Sequence, residues 1–404
     1  MTNRPMVLVV NPGSASRKYA LYSGNQEKAS IYFEFIDGRV VNEVEFGGSK
    51  ITIPCEDIDL SRVSRYVEPI LLENNLISSI GTIAAIGIRL VAPSRLFMQD
   101  ELISPEIEVV LEKVKEVAPL HITTFLAEVR QLKKHLPGTP IVAVSDSAFH
   151  ATKPTWASNY GIDTEMAERH DIKRFGYHGI SIASVVEKLK DSDILQPKTI
   201  VCHLGSGSSV TAVYNGDSYD TTMGYTPLEG LVMASRSGSI DVTAALAIKR
   251  RLHFTDNELE HYLNTKCGLL GISGSSNDIR QLITLENDGD ERASLALKMY
   301  VYRIQQAIGQ MAAGMGGVDS IVFTGTVGER SYIIRGRIIE ELGFLGFKHN
   351  HKTNDHTYEP TEPTNISALR KKPIYVISTN EASEIARRAE QYINNCLKDP
   401  PLCS

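Results

Sequence analysis

The sequence predicts an α/β protein with two domains. Its 404 residues exceed the roughly 250–300 residues at which a single hydrophobic core stops growing. Strand-like apolar runs alternate along the chain with segments of helical periodicity, which is typical of α/β folds. A stretch near the N-terminus also recurs in the second half of the chain, so we expect each domain to contain one copy.

The first half contains the elements of one predicted domain over residues 1–152. Short runs rich in β-branched residues and bounded by turn residues indicate strands, whereas apolar residues spaced three and four apart indicate helices. The predicted strands lie at 7–10, 19–22, 31–36, 83–91 and 140–144, and the predicted helices near 60–75, 106–116 and 121–134.

The second half repeats this alternation in a predicted domain over residues 153–384. The strands are predicted at 199–203, 209–214, 320–324 and 373–377, and the helices near 179–190, 241–250, 256–265, 289–314, 330–342 and 381–396. The polar, turn-rich segment 345–371 is predicted to be a surface loop. The C-terminal helix, about 385–404, is expected to pack on the first domain.

The internal repeat consists of a strand, a turn of glycine and serine, and a second strand. Residues 8–24 align without gaps to residues 200–216, and seven of the 17 positions are identical. Backbone N–H groups in such a turn point to one spot and form an anion-binding concavity, although glycine and serine also occur in ordinary hairpin turns. The duplication favours two phosphate-binding turns, and neither carries the GxxxxGK[ST] motif of a Walker loop.

Composition narrows the class of partner. The net charge is −6, from 42 basic and 48 acidic residues, and no long basic block suggests a nucleic acid or an anionic membrane as partner. The chain has neither a signal-peptide pattern nor an apolar stretch long enough to span a membrane. Five scattered cysteines without a CxxC spacing favour thiols in a reducing compartment and give no zinc pattern. We therefore expect a cytoplasmic protein that acts on small molecules.

Three basic residues are candidates for contacting a phosphate. Phosphoryl transfer requires positive groups around the moving phosphoryl. Lys18 follows the first turn, Arg89 closes the apolar run TIAAIGIRLV, and Arg236 lies among small residues in MASRSGSID. Each has a structural alternative: a solvated charge at a strand edge for Lys18, an internal salt bridge for Arg89, and a surface position for Arg236.

Other candidates are an imidazole, two carboxylates and a turn. His178 in RFGYHGIS is either structural or functional. Asp146 ends the strand IVAVSD, where ligands gather in α/β sheets, although it also suits a turn cap. Glu381 completes a capping box that begins at Ser378, or supplies an oxygen ligand for Mg²⁺. The strand, turn and helix of 321–331 suit a nucleotide near a helix N-terminus.

The ordered set of motifs resembles the acetate kinase family, within the superfamily of acetate and sugar kinases, heat-shock ATPases and actin. The resemblance covers nearly the whole chain. It is carried by NPGSASRK (11–18), GIRLV (87–91), VAPLH (117–121), SDSAFHATKP (145–154), RFGYHGIS (174–181), HLGSGSSV (203–210), DTTMGYTPLEGL (220–231), RSGSID (236–241), SGSSNDIR (273–280), FTGTVGERS (323–331) and STNEASEIAR (378–387).

The resemblance implies two actin-like (ribonuclease H-like) α/β domains with a nucleotide cleft between them. It implies a homodimer whose second domain binds the nucleotide and carries the dimer contact. It further implies Mg²⁺, with Mn²⁺ as a substitute, and ATP or ADP as a substrate. The implied reaction is reversible phosphoryl transfer between ATP and a short-chain carboxylate, which gives an acyl phosphate and ADP.

The resemblance also implies individual roles. The implied metal ligands are Asn11 and Glu381, the substrate-binding residues Arg89 and Val91, and the catalytic residues Asp146, His178 and Arg236. The implied nucleotide-binding residues are Lys18, His203, Leu204, Gly205, Ser206, Gly207, Asp278, Ile279, Arg280, Gly325, Thr326, Val327, Gly328 and Glu329. A carboxyl group with an ordinary pKa of about 4 is ionised near neutrality, so we expect Asp146 to orient Arg89 or metal-bound water rather than to act as an acid.

Some positions depart from the family pattern. Residues 92–94 read Ala-Pro-Ser where the family usually has His-Gly-Gly, and residues 121–123 read His-Ile-Thr where it has His-Asn-Pro. Beside the nucleotide, Ser206, Thr326 and Arg330 replace Asn, Gly and Asn. Three functions stay open: an acetate kinase, a related kinase for propionate, butyrate or a donor other than ATP, and a catalytically weak nucleotide-binding homologue.

Overall fold

A computed structural model of the protein describes residues 5–13, 16–36, 38–55 and 59–398. Ser14 and Ala15, in the first predicted turn, and the end of the predicted C-terminal helix after residue 398 lie outside these ranges. The chain divides into two compact units. Unit 1 is Met1–Ala148 together with Asn380–Ser404, and unit 2 is Phe149–Thr379.

Unit 1 contains eight strands and four α-helices among its described residues. The strands are β1 (Met6–Pro12), β2 (Ser16–Ser23), β3 (Gln26–Ile36), β4 (Arg39–Phe46), β5 (Ser49–Ile51), β6 (Ile83–Leu90), β7 (Glu101–Leu102) and β8 (Ile141–Ser145). The helices are α1 (Val67–Glu73), α2 (Pro105–Val114), α3 (Pro119–His135) and, at the C-terminal end of the described chain, α15 (Glu381–Lys398).

Unit 2 contains six strands and eleven α-helices. The strands are β9 (Lys198–Leu204), β10 (Ser208–Tyr214), β11 (Asp217–Thr221), β12 (Ser320–Thr324), β13 (Thr364–Asn365) and β14 (Ile374–Val376). The helices are α4 (Thr155–Ser158), α5 (Thr164–Arg169), α6 (Gly179–Asp191), α7 (Val242–Leu252), α8 (Asp256–Thr265), α9 (Gly268–Ser273), α10 (Ile279–Asn287), α11 (Glu291–Gly314), α12 (Gly325–Arg330), α13 (Tyr332–Glu340) and α14 (His351–His356).

The two sheets share one arrangement. The order in unit 1 is β5-β4-β3-β2-β1-β6-β8-β7, and the order in unit 2 is β11-β10-β9-β12-β14-β13. In each sheet an antiparallel series ends at the first strand of the repeat, which then pairs in parallel with a later strand: β1 with β6, and β9 with β12. The α/β prediction is therefore confirmed, and the repeat corresponds to a repeated sheet topology.

The two copies of the repeat differ by one residue in register. In the first hairpin Asn11 lies opposite Lys18. In the second, His203 lies opposite Ser209, whereas the gapless alignment places Val210 there. The last paired residues of the first hairpin, Pro12 and Arg17, are separated by four residues, whereas Leu204 and Ser208 of the second hairpin are separated by three. Since a shift of one residue changes which side chains face one another, the two hairpins are not interchangeable.

Helix α15 packs on the strand β6 of unit 1 at a glycine. A Cβ atom at Gly87 would lie 2.8 Å from Cγ2 of Ile385 and 3.0 Å from Cβ of Ala389. These separations are too short for a side chain, so glycine permits the close approach of helix to strand. Arg388 holds the same helix through an ion pair with Asp100, with Nε donating to Oδ2 at 2.9 Å.

Three details of the sequence prediction are wrong. Segment 345–371 is not merely a surface loop, because it contains α14 and β13 and ends near the fully buried Ile366. The helix predicted near 330–342 is present as α13, but the short helix α12 that precedes it and ends at Arg330 was not predicted. Cys396 is disulfide-bonded, although Cys55, Cys202 and Cys267 are free thiols as expected. Among the described residues, none of the helices is both long and apolar enough to cross a membrane.

Candidate active site

Arg89 lies near the carboxyl end of β6 between two carboxylates of unit 1. Its Nη2 donates to Oδ2 of Asp146 at 3.0 Å, and its Nη1 donates to Oε2 of Glu381 at 3.4 Å. Burial acts to lower the pKa of the guanidinium, but the charges of Asp146 and Glu381 outweigh burial and raise that pKa above its usual value. Arg89 is therefore a permanent cation, and the salt-bridge alternative of the sequence analysis is present.

One nitrogen of Arg89 lacks an acceptor among the described residues. Nε is buried and has no hydrogen-bond partner within the ranges that the structure describes. A buried donor without a partner costs free energy, roughly 1–3 kcal/mol, unless a ligand or water satisfies it. Arg89 is thus suited to receive an oxygen atom of a small anion.

Parallel strands bring Asp146 and Asn11 to the same edge of the sheet. Leu90 of β6 lies opposite Ser145 of β8, and the N–H of Asp146 donates to the carbonyl of Leu90 at 2.9 Å. On the other side of β6, Val10 lies opposite Ile88, so Asn11 and Arg89 each follow by one residue at the carboxyl ends of neighbouring strands. This is the edge at which α/β sheets bind ligands.

Glu381 is the first residue of α15, but it does not belong to the capping box that its sequence allows. Asn380 supplies the cap, since its Oδ1 accepts from the N–H of Ser383 at 2.9 Å. Ser378 instead donates its hydroxyl proton to the carbonyl of Pro360. The capping-box alternative is wrong, and the carboxylate of Glu381 is engaged by Arg89 and not by the helix terminus.

Val91 and Lys18 take more peripheral positions in unit 1. Val91 is half-buried and directly follows β6. Lys18 is exposed on β2, and its Nζ lies 5.3 Å from the centre of the Tyr32 ring, within the range of a cation–π interaction. The solvated-charge alternative for Lys18 thus describes its position in the structure.

In unit 2, the turn between β9 and β10 brings a glycine against an imidazole and a guanidinium. A Cβ atom at Gly207 would lie 3.1 Å from Nε2 of His178 and 3.3 Å from Nη1 of Arg236. The N–H of Gly205 donates to the carbonyl of Gly207 at 2.9 Å and closes the turn. A side chain here would crowd both polar groups, so glycine lets the backbone approach them closely.

His178 and His203 form a stacked pair behind this turn. Their ring centres are 4.2 Å apart with planes inclined by 33°. Nδ1 of His178 bonds to the Ser209 hydroxyl at 2.9 Å, and Nδ1 of His203 bonds to the Ser181 hydroxyl at 2.8 Å. His178 precedes α6 in a left-handed conformation, with φ of 62°. Neither serine is among the residues that the sequence predicted for the site.

Arg236 lies in a loop that is bonded to the turn. The N–H of Ala234 donates to the carbonyl of Ser206 at 3.2 Å. The guanidinium of Arg236 is half-buried, and its Nη1 donates to the carbonyl of Pro227 at 3.4 Å. The surface alternative for Arg236 does not describe this position, since the guanidinium faces Gly207.

The turn before α12 is built onto the end of β9. Gly325 has φ of 75°, and a Cβ atom there would lie 2.8 Å from the carbonyl oxygen of Leu204. The carboxylate of Glu329 is buried and accepts from the N–H of Gly325 at 2.8 Å and from the N–H of Thr379 at 3.1 Å. Glu329 therefore fixes the turn, and Gly328 packs over Phe323.

A pocket of about 620 Å³ opens beside these turns in unit 2. It is lined by Gly205, Ser206, Ala234, Leu269, Asn277, Asp278, Ile279, Arg280, Ile283, Thr326, Val327, Arg330, Ser331, Tyr332, Ile333 and Tyr358. Apolar and aromatic side chains with a few polar groups are typical of a site for a small molecule such as a nucleotide. Seven of the predicted nucleotide-binding residues line it, whereas Lys18 belongs to unit 1.

Two ion pairs border the pocket. Nη2 of Arg280 lies 2.5 Å from Oδ2 of Asp278, and this contact lowers the pKa of the Asp278 carboxyl. Nε of Arg330 donates to Oε1 of Glu359 at 2.6 Å, and its guanidinium lies 5.9 Å from the centre of the Tyr358 ring. The cation of Arg330 is therefore already neutralised by an adjacent carboxylate.

Two buried arginines outside the predicted set hold these regions in place. In unit 1, Arg17 pairs with Glu128, with Nε 3.2 Å from Oε2, and donates to the carbonyls of Gly13 and Ser16. In unit 2, Arg335 is fully buried and donates to the carbonyls of Gly328 and Glu329, among others. Neither has a sequence signal, since their partners are distant or lie in the backbone.

The predicted site residues thus form two groups, one in each unit. Unit 1 gathers a guanidinium and oxygen ligands at one sheet edge, and unit 2 gathers imidazoles, a guanidinium and glycine turns beside a pocket. Among the residues described, no group of three or more His, Cys, Asp or Glu side chains is arranged to hold a metal ion.

Comparison with protein families gives a single result across nearly the whole chain. A model described as "Acetokinase family" matches residues 6–387. The acetate kinase of Halothermothrix orenii is 38% identical over 398 residues, which cover 96% of this chain and 100% of the relative. The acetate kinase of Methanosarcina thermophila is 34% identical over 403 residues, with 97% and 98% covered.

Solved structures of similar proteins have the same fold. A propionate kinase from Francisella tularensis subsp. tularensis superposes with a TM-score of 0.87 at 34% identity, covering 96% of this chain and 99% of the other. The Porphyromonas gingivalis acetate kinase superposes with a TM-score of 0.85 at 32% identity, covering 96% and 100%. These similarities confirm the predicted fold class, an α/β protein with two actin-like domains.

Proposed function

The chain belongs to the acetokinase family, and from this membership we propose that it is an acetate kinase. It transfers a phosphoryl group reversibly between ATP and acetate, and gives acetyl phosphate and ADP. One observation of the geometry supports this most directly. Nε2 of His178 and Nη1 of Arg236 converge within 3.1–3.3 Å of the Cβ position of Gly207, as positive and hydrogen-bonding groups must do to stabilise a phosphoryl group in transfer.

In the reaction, an oxygen of acetate forms a bond to the γ-phosphorus of ATP. The bond from that phosphorus to the bridging oxygen breaks, and the electron pair leaves with ADP. Acetate is already an anion at neutral pH, so no proton has to be removed from the nucleophile. We therefore assign no acid or base role to Asp146.

Arg89 binds the carboxylate of acetate in this proposal. Its buried Nε, which has no acceptor within the described residues, is the donor for a substrate oxygen. Asp146 is the residue that orients the guanidinium, since its Oδ2 accepts from Nη2 at 3.0 Å and its side chain is 1% exposed. Val91 follows Arg89 in the chain and is proposed to contact the acyl group.

Asn11 and Glu381 are proposed to hold Mg²⁺, or Mn²⁺ as a substitute. Both carry hard oxygen ligands, and Mg²⁺ in kinases is commonly bound by one or two such side chains together with phosphate oxygens and water. The donor set therefore fits without a cluster of three acidic or imidazole ligands. When bound, the ion would neutralise charge on the phosphates.

The nucleotide is proposed to occupy the pocket of unit 2. Gly205 and Ser206 line it from one glycine turn and Thr326 from the other, and turns of this kind suit phosphate oxygens. Asp278, Ile279 and Arg280 also line it. His203 and Leu204 support the turns from β9, Gly328 and Glu329 support α12, and we propose that Lys18 binds a phosphate oxygen of the nucleotide.

The decisive experiment measures acyl phosphate formation. The purified protein is assayed by hydroxamate trapping with ATP, GTP or pyrophosphate as donor and with acetate, propionate or butyrate as acceptor. We expect the highest kcat/KM for ATP with acetate. No turnover with any pair, together with binding of Mg-ATP, would establish the nucleotide-binding homologue instead.

A matched pair of arginine variants tests the site. Arg236→Ala should lower kcat by about 100–1,000-fold, because a preorganised group that stabilises transition-state charge is lost. Arg292→Ala removes an exposed guanidinium that also donates to a backbone carbonyl in unit 2, and it should leave kcat unchanged. Equal activity of the two variants would contradict the role of Arg236.

Acyl preference is the second variable, because one structural relative carries the name propionate kinase. Residues 92–94 and 121–123 differ from the family pattern beside Val91 and at the start of α3. A kcat/KM for propionate above that for acetate would assign the alternative function. The acceptor series in the assay above separates the two kinases directly.

A homodimer and a cytoplasmic location complete the proposal. Unit 2 exposes large apolar side chains: Trp156 on α4 is 77% exposed and Val242 on α7 is 73% exposed. Exposed apolar residues of this size are typical of a surface that another protein chain covers. Light scattering after gel filtration should give twice the mass of the 44.5 kDa chain. The cytoplasmic location stays a prediction from the sequence.

A further inference from the structure

Two serine–histidine hydrogen bonds connect the second hairpin to the start of α6. Ser209 of β10 lies opposite His203 of β9 and bonds to Nδ1 of His178 at 2.9 Å. Ser181 of α6 bonds in turn to Nδ1 of His203 at 2.8 Å. Ser181 and Ser209 are both fully buried. The bonds run in opposite directions between the same two elements, so each element positions the imidazole of the other.

We propose that Ser209 is a positioning residue that fixes the tautomer of His178, and that Ser181 fixes the tautomer of His203 in the same way. Each serine donates its hydroxyl proton to Nδ1. The ring proton of each neutral imidazole then resides on Nε2. The proposal rests on the proposed phosphoryl transfer for its purpose, but the assignment of tautomers stands on the hydrogen bonds.

The direction of the bonds follows from counting donors. A hydroxyl has one proton to donate, and a buried donor without an acceptor is costly. Within the ranges that the structure describes, Ser209 Oγ has no acceptor other than Nδ1 of His178, and Ser181 Oγ has none other than Nδ1 of His203. Each hydroxyl therefore donates, and each Nδ1 accepts.

Ring stacking supports neutral imidazoles. The two ring centres lie only 4.2 Å apart, and two imidazolium ions at this separation would repel each other. An Nδ1 that accepts a hydrogen bond carries no proton, so both rings are neutral in the proposed arrangement. The pair then presents hydrogen-bond donors without introducing like charges side by side.

The consequence for the site is the direction of one N–H group. Nε2 of His178 faces the turn, 3.1 Å from the Cβ position of Gly207 and on the same side as Nη1 of Arg236. With the proton on Nε2, His178 donates toward a phosphoryl oxygen. With the proton on Nδ1, the lone pair of Nε2 would face that oxygen and repel it. Ser209 thus determines whether the imidazole attracts or repels the phosphoryl group.

Kinetics of a hydroxyl-deleting variant test the positioning role. Ser209→Ala should lower kcat by about 10–100-fold, as loss of a group that orients a functional histidine typically does. The KM values for ATP and acetate should stay within about twofold, because substrate binding does not depend on one tautomer. The pattern of a lowered kcat with unchanged KM distinguishes positioning from general loss of structure.

Thr211→Val is the matched control. Thr211 lies two residues from Ser209 on β10, is fully buried, and loses a bond to the hydroxyl of Thr221 at 2.9 Å when its own hydroxyl is replaced by a methyl group. This variant removes a buried hydroxyl from the same strand without touching an imidazole. Its kcat should stay within about twofold of the unsubstituted protein.

Nuclear magnetic resonance of ¹⁵N-histidine reads the tautomers without any assay of turnover. In the unsubstituted protein His178 and His203 should each show a protonated Nε2 and an unprotonated Nδ1, with assignments from the His178→Gln and His203→Gln variants. Ser209→Ala should shift His178 toward a mixture of tautomers and leave His203 unchanged. Ser181→Ala should do the reverse.

The outcomes separate this proposal from the proposed function. A proton on Nδ1 of His178 in the unsubstituted protein overturns the proposal, as does a kcat of Ser209→Ala equal to that of Thr211→Val. If Ser209→Ala does not fold, the spectrum of the unsubstituted protein decides alone. If the protein has no kinase activity but His178 carries its proton on Nε2, the proposed function fails and the tautomer assignment holds.

Discussion

The buried cations of the two units are stabilised differently. In unit 1, Arg17 is 6% exposed and faces the carboxylate of Glu128, which also accepts from the hydroxyl of Tyr19 at 2.6 Å. In unit 2, Arg335 and Lys153 are 0% and 6% exposed and donate to carbonyl oxygens instead. Positive charge is thus balanced by a carboxylate in one unit and by backbone and amide dipoles in the other.

The difference bears on the nucleotide pocket of unit 2. A polyphosphate is strongly anionic, so an unpaired carboxylate close to it would repel it and weaken its binding. The carboxylates of Asp278 and Glu359 at the pocket are paired with Arg280 and Arg330. Carbonyl and amide oxygens stabilise Arg335 behind α12 without adding a further negative charge. The comparison teaches that the two units balance a buried cation with groups of different charge.

The largest effect is expected when the ion pair between Arg17 and Glu128 in unit 1 is broken. Glu128→Gln leaves the guanidinium of Arg17 buried without its counter-ion, so the free energy of unfolding should fall by about 3–5 kcal/mol. Burial raises the pKa of the Glu128 carboxyl, against the lowering contacts of Tyr19 and Arg17, which shows how strongly the carboxylate depends on these partners. Urea unfolding followed by circular dichroism measures the change.

A double variant is the control for this ion pair. Arg17→Met combined with Glu128→Met removes both charges together and should recover most of the lost stability, because the cost lies in an unpaired buried ion. If the double variant is as unstable as Glu128→Gln, packing rather than charge accounts for the loss.

The next largest effect is expected when the hydrogen bonds from Arg335 to carbonyl oxygens in unit 2 are lost. Arg335 makes five hydrogen bonds of 2.8–3.0 Å to the carbonyls of Gly328, Glu329, Asn354 and Thr357 and to the amide oxygen of Asn354. Burial lowers the pKa of its guanidinium to about 10, which still leaves the cation intact near neutrality. Arg335→Lys keeps the charge but loses the planar fork, so the free energy of unfolding should fall by about 2–3 kcal/mol.

The same variant should alter the pocket, because Arg335 joins α12 to the end of α14. Thr326 and Tyr358 line the pocket from these two segments, so the KM for ATP should rise while the KM for acetate does not. Arg337→Lys is the control on the same helix. Its partner is Glu286, in a partly exposed ion pair, and such pairs contribute only about 0–1 kcal/mol.

The remaining effect concerns Lys153 and is small at any single pH step, because it is spread over the pH scale. Burial, and then the charge of Arg174, lower the pKa of its amine from 10.5 to about 7. Between these two pH values the unfolded chain binds one more proton than the folded chain. The free energy of unfolding therefore rises with pH over this range, by up to about 1.4 kcal/mol per pH unit. Below pH 7 the contribution is constant.

Lys153→Met removes this dependence. The variant should be stabilised relative to the unsubstituted protein most at pH 6.5, and the difference should shrink as the pH rises to 9.5. Urea unfolding at several pH values measures it. Lys190→Met, at an exposed lysine of the same unit, should keep the original pH dependence. A difference that grows with pH would contradict the lowered pKa.

The sequence predicted those features that depend on local pattern. The repeat identified both hairpins, and apolar runs placed Arg89 and Asp146 each at the end of a strand; the structure shows that these strands are neighbours and joins the two side chains. The gapless alignment could not predict that Ser209 lies opposite His203, because register depends on turn length. Arg17 and Glu128 are 111 residues apart in the chain, so no local sequence pattern predicts that they pair.

Helix α14 is another element that the sequence alone did not predict. Segment 345–371 is polar and rich in turn residues, so its composition indicates a loop. A helix of only six residues is not stable by its own propensity. It forms because Arg335, a residue of another helix, donates to the carbonyls at its end. Contacts between distant segments determine whether such a short helix forms, and these contacts cannot be predicted from a single sequence.

The packing of α15 against Gly87 has a consequence for biosynthesis. A ribosome makes the strands of unit 1 first and then the whole of unit 2, which is Phe149–Thr379, before it reaches Glu381. Until then the groove over Gly87 is uncovered and Arg89 lacks one of its two carboxylates. Unit 1 therefore stays without α15 while unit 2 is translated. Its fold is completed only when α15, the last helix of the described chain, has been synthesised.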